Sequence, residues 1–158
     1  EAIEDTGFKV HHEISRLVTQ RAQETGIEQL FLEDPMAFSN ELLKGRMKQF
    51  EAAEPGINFY DRGIPDVPAY HNFTKDPIPK EYLEASQKHK YDAVFFLPAW
   101  KEIYQSDSER YESFEETTEI DRFLMKSYTD LGYAIINVPF GSLKERTDFV
   151  INSLACEL

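Results

Sequence analysis

"INFYDRGIPD", residues 57–66, decides the fold. A mostly apolar run leads straight into Asp61 and Arg62, and Gly63 and Pro65 then turn the chain. A run without polar alternation reads as a strand covered on both faces, which is the pattern of a parallel sheet. In open parallel sheets ligands bind just beyond the carboxyl ends of the strands. Asp61 and Arg62 stand at such an end.

Outward from this stretch, apolar runs alternate with helical periodicity. Before it, "FKVHH" (Phe8 to His12) is a short strand. "EISRLVTQRAQE" then repeats Ile14, Leu17 and Val18 on a helix face. Asp34 followed by Pro35 reads as an N-cap with proline at the first helical position, opening a stripe of Met36, Leu42, Leu43, Met47 and Phe50 that stops at Pro55-Gly56. After it come a short helix near Val67 to His71, another from about Lys80 to Lys88, and the strand "DAVFFL" (Asp92 to Leu97). Tyr111, Phe114, Ile120, Leu124, Tyr128 and Leu131 share a helical face ended by Gly132, and "AIINV" is the last strand. Ser142 to Glu145 forms a capping box opening a closing helix with Phe149, Val150 and Leu154 inward. This order predicts one α/β domain over residues 1–158, with a doubly wound, mainly parallel sheet.

The charge of −12, from 17 basic and 29 acidic residues, opposes nucleic acid and anionic membranes, and no basic run overrides it. Eight acids against two bases between Lys101 and Asp121 read as a solvated helix face. A single cysteine, Cys156, precludes an internal disulfide and points to a reducing compartment, with cytoplasm as the expectation. No apolar stretch reaches the roughly 18–20 residues of a membrane span, and no basic-then-apolar leader is present.

Each charged residue at a strand end has two readings. Asp61 fixed by a buried strand suits Mg²⁺ or its waters, and equally suits a turn cap beside a solvated Arg62. Glu13 and Arg16, three apart, either form an ordinary helix ion pair or serve a ligand. Arg110 is either solvated or heads a segment closing over phosphates. Arg146 shares a face with Leu143 and Val150, where snorkelling along the core edge explains it first. GxSxG, GxGxxG, HExxH and CxxC are all absent, which removes motif support for serine hydrolase, dinucleotide, zinc-protease and thiol-redox chemistry.

"YDRGIPDVPAY", "FFLPAWKEIYQSDSERYESFEE" and "GYAIINVPFGSLKERTDFVINSL", in that order within about Gly7 to Leu154, resemble the AAA-like P-loop ATPase family that includes the ribosylnicotinamide kinase domain of bacterial NAD regulators. The resemblance implies a P-loop NTPase fold using ATP and Mg²⁺ to transfer phosphate to a small acceptor, or to hydrolyse ATP. It places Asp61 on the Mg²⁺–nucleotide or an acceptor hydroxyl, Arg62 toward phosphate and Arg110 in a lid. Glu13, Arg16 and Asp66 fall on the acceptor side, and Pro139, Gly141 and Arg146 beside the nucleotide base. The chain has no GxxxxGK[ST] loop, and "EAIEDTG" resembles the end of the helix that follows it, so the resemblance implies an N-terminally truncated domain. A further segment, a second copy or a partner chain would then supply a strand between "INFY" and "DAVFFL". The alternative function is a nucleotide-dependent protein-binding module without useful turnover.

Overall fold

The computed structural model describes residues 1–104 and 113–157. In chain order its elements are β1 (Lys9–His11), α1 (Ser15–Glu24), α2 (Leu30–Glu33), α3 (Pro35–Glu51), β2 (Asn58–Tyr60), α4 (Asp66–Thr74), α5 (Lys80–Lys88), β3 (Val94–Phe96), α6 (Phe114–Asp130), β4 (Ile135–Asn137) and α7 (Leu143–Glu157). Contacts divide them into two compact units. One consists chiefly of residues 3–67 and 79–89, the other of residues 68–78 and the chain from Lys90 onward.

In the first unit β1 and β2 pair in parallel, Lys9 opposite Asn58 and His11 opposite Tyr60. Aromatic contacts stiffen this pair: His11 stacks on Tyr60 at 4.6 Å and Phe8 meets Phe59 edge-on at 5.5 Å. The crossover is helical because its caps and its stripe agree. Asp34 accepts from the Ala37 amide at 2.9 Å with Pro35 behind it, and Val18, Ala22 and Leu30 gather Ile27, Phe38 and Leu42 into a core. Leu17, expected inward, is exposed, since Val18 and Ala22 take the buried face instead. The four-residue α2 carries too little periodicity to be read from sequence. Tyr82 of α5 is fully buried, its hydroxyl donating to Asn40 Oδ1 at 2.8 Å, and burial pushes its pKa up.

In the second unit β3 and β4 pair in parallel, Val94 opposite Ile135. Ala69, Ile120 and Leu124 form its core with Tyr70, Phe73 and Phe96. Helix α6 opens on a capping box, Ser113 N donating to Glu116 Oε2 at 2.8 Å and Glu116 N to Ser113 Oγ at 3.1 Å. Tyr111, the expected start of that helical face, lies outside the described residues. The box predicted for α7 forms between Ser142 and Glu145, and Val150 and Leu154 are buried. Gly132, at a φ of 86°, ends α6 as expected.

The strands are thus parallel, as read from their composition, but among the described residues they form two separate pairs rather than one doubly wound sheet. Each helical crossover closes its own pair. Among the described residues no helix is long and apolar enough to cross a membrane.

Candidate functional site

The carboxyl ends of β1 and β2 carry four linked charges. The ladder continues one step past β2, with Asp61 N donating to His11 O at 2.8 Å, so the segments after the two strands leave side by side. Two residues further along the first lies Glu13. Its Oε1 accepts from the Ile14 and Ser15 amides, both at 2.8 Å, and fixes the carboxylate against the start of α1. Helix α3 approaches at this point because Gly45 has no side chain: a Cβ there would lie 2.2 Å from Ile14 Cδ1.

Next to Gly45, Arg46 reaches into the gap. It is 5% exposed. Its Nη1 donates to Gly63 O at 3.1 Å and its Nη2 lies 3.4 Å from both carboxylate oxygens of Glu13. Its buried Nε has no hydrogen-bond partner among the described residues. A buried guanidinium without opposing charge would be costly by several kcal/mol, and Glu13 supplies that charge.

Arg62 completes the set from the β2 side. Its side chain is 42% exposed, with Nε 3.6 Å from Glu13 Oε2 and Nη1 3.6 Å from Asp66 Oδ2. Asp66, in the first turn of α4, is buried. The backbone at Arg62 has a φ of 75°, a left-handed conformation that costs a non-glycine residue about 1 kcal/mol or more. Two cations and two carboxylates therefore alternate across the strand ends. Both ion-pair distances to Arg62 are long at 3.6 Å, and the guanidinium itself remains partly exposed at the strand ends.

The sequence-derived candidates separate in the structure. Glu13, Arg62 and Asp66 come together around Arg46. Asp61 is exposed, its carboxylate outside that network, and it does not pair with its neighbour Arg62. Arg16 is exposed on α1. Arg110 lies outside the described residues. Arg46 was missed because α3 reads as an ordinary amphipathic helix; the available signal was a charge three residues after Leu43 and four before Phe50, in register with the stripe.

Pro139, Gly141 and Arg146 belong to the second unit. Here the ladder also runs on, Val138 N donating to Phe96 O at 2.8 Å. Pro139 is exposed, and Phe140, 56% exposed, stacks on Trp100 at 5.0 Å. Asp121 Oδ2 accepts from Ala99 N at 2.7 Å and so pins the segment carrying Trp100. Gly141 and Arg146 flank the Ser142–Glu145 box; bonds from the Ser142 hydroxyl and then its amide hold the Glu145 carboxyl below the usual range. A cavity of about 360 Å³ lined by Lys90, Asp92 and Tyr133 sits at the amino ends of β3 and β4, the end that parallel sheets do not use for ligands.

Among the described residues no group of three or more His, Cys, Asp or Glu is arranged to hold a metal ion. A phosphate-borne Mg²⁺ needs less, one or two carboxylates with phosphate and water completing its shell, and exposed Asp61 at the end of β2 fits that smaller demand.

A family model described as an AAA domain matches residues 1–146. No curated protein and no solved structure matches the chain.

Proposed function

Because the chain belongs to the AAA domain family, a family of α/β P-loop nucleotide-binding ATPases and kinase-like proteins, we propose that it serves Mg²⁺–ATP-dependent phosphoryl transfer to a small acceptor hydroxyl. The observation that supports this most is the Glu13–Arg46–Arg62–Asp66 network at the carboxyl ends of a parallel strand pair. Phosphoryl transfer asks a protein mainly for positioning and charge neutralisation. Arg62, its side chain 42% exposed at the strand end, meets the phosphate oxygens. Glu13 and Asp66 accept hydrogen bonds from the acceptor, and Asp61 would hold the metal. Mg²⁺, when bound, neutralises charge on the transferring phosphate. On the sequence resemblance alone, Pro139, Gly141 and Arg146 are candidate neighbours of a nucleotide base, and a ribosylnicotinamide-type nucleoside is the favoured acceptor. The 158 residues hold no GxxxxGK[ST] stretch of the kind that cradles phosphate.

The test is ATP turnover by the full-length protein, with and without nucleosides. Acceptor-dependent ADP release that falls about 100-fold or more on Asp61→Asn, with an unchanged circular dichroism spectrum, supports the reading. Unchanged turnover in that variant removes Asp61 from the chemistry. A second reading, a nucleotide-dependent docking module, draws support from the exposed apolar residues Leu97, Ile103, Phe140 and Leu143 of the second unit. Single-turnover burial of ATP without product would favour it.

A further inference from the structure

Arg46 is placed where packing alone would put an aliphatic side chain. It lies on the inner face of α3 with Leu43, and Phe50, one turn on, packs against the rings of Tyr60 and His89. Well-packed apolar residues of similar volume commonly replace buried ion pairs without loss of stability. The guanidinium therefore calls for a reason beyond folding.

We infer that Arg46 is a positioning residue, one that ties the segment after β1 to the turn after β2 and thereby sets how Arg62 is presented at the strand ends. Two contacts carry this. Nη1 holds the carbonyl of Gly63, the residue directly after Arg62, and so restrains a turn whose left-handed φ of 75° a free chain seldom keeps. Nη2 meets both oxygens of Glu13, and Glu13 Oε2 is itself 3.6 Å from Arg62 Nε. One planar fork thus acts on Arg62 twice, through its backbone and through the carboxylate beside its side chain. Lysine does this poorly, because its single nitrogen lacks the two in-plane donors that the rigid fork holds at a set spacing. Being buried, Arg46 touches no ligand itself. Its geometry stands independently of the phosphoryl-transfer reading, whereas its consequence for turnover rests on that reading.

The experiment uses the full-length protein with ¹⁵N-labelled arginine, as wild type, R46K, R62K, the double variant and R46M. The Arg62 Nε–Hε resonance reports its presentation directly. In R46K the amide spectrum stays native-like, while that resonance shifts and exchanges faster with solvent. With Mg²⁺–ATP and a nucleoside, kcat falls about 10- to 100-fold, the scale expected for a small misplacement, and KM for ATP changes by no more than about 2-fold. The double variant is no slower than R62K alone, since both substitutions disable the same group. An unmoved Arg62 resonance in folded R46K, or effects that multiply in the double variant, overturns the inference. Should R46K not fold, R46M decides: its Arg62 resonance must shift in the same way, and an unmoved one is fatal. If the wild type consumes no ATP, the phosphoryl-transfer reading fails, and the resonance alone still rules on Arg46.

Discussion

Replacing Gly45 by alanine probes the close approach that brings α3 against the segment after β1. In an unconstrained helix interior this change stabilises by about 0.8–1.0 kcal/mol. Here the new Cβ would lie 2.2 Å from Ile14 Cδ1, and reaching the 3.4 Å of ordinary contact requires a retreat of about 1.2 Å. Ile14 Cδ1 is the end of its side chain and turns about χ2, so relief comes through a less favourable χ2 rotamer or a shift of the backbone, costing about 1–3 kcal/mol. The net expectation is a loss of about 0–2 kcal/mol. Removing the offending atom reverses the sign. In an Ile14→Val background Cδ1 is gone and the nearest remaining atom, Cγ1, stands at 3.7 Å, an ordinary contact. Gly45→Ala then stabilises by about 1 kcal/mol through helix propensity alone. Urea unfolding of the four proteins measures this, with midpoint shifts of about 0.3–1 M per kcal/mol at typical slopes. Equal midpoint shifts for Gly45→Ala in both backgrounds would refute the steric argument and the proximity of α3 to Ile14 with it.

Arg62→Gly relieves the left-handed backbone but removes the ion pairs to Glu13 and to the buried Asp66, so its unfolding free energy in urea should fall by about 1–3 kcal/mol; the same variant should lose ATP turnover, and no loss of stability would show that backbone relief outweighs the pairs. Tyr82→Phe removes the buried hydroxyl bond to Asn40 and should cost about 1 kcal/mol in urea unfolding, with no loss counting against that bond. Bonds from the Ser113 amide and then its hydroxyl hold the Glu116 carboxyl below the usual range. A carboxyl lowered on folding stabilises above its unfolded pKa and stops doing so as pH falls through its folded pKa. Wild type should therefore exceed Glu116→Gln in stability near neutrality, and the two should converge as the solution is acidified below the ordinary glutamate range; a gap that persists in strong acid would contradict this.

Much of the local structure was legible in the sequence. Asp34-Pro35 and the Ser142–Glu145 box each appear where their residue types demand, because a cap is an interaction between residues three positions apart. "INFY" and "DAVFFL" read as parallel strands because their apolar runs lack alternation, and both pair in parallel. The site was legible only in part. Asp61 and Arg62 were correctly placed beyond β2, yet the charge network includes Arg62 and leaves Asp61 exposed outside it. Adjacent residues leave a strand in different directions, and the left-handed turn at Arg62 is not coded by its side chain.

Helix caps, the apolar strand runs and helix faces were set by neighbours within a few positions of one another, through periodicity, capping and turn chemistry that act along the chain. Tertiary structure alone decided that Glu13, Arg46, Arg62 and Asp66 converge, and that Arg46 is buried. Such contacts span up to 49 positions between residues 13 and 62, and depend on α3 packing closely at Gly45, a distance no local pattern records.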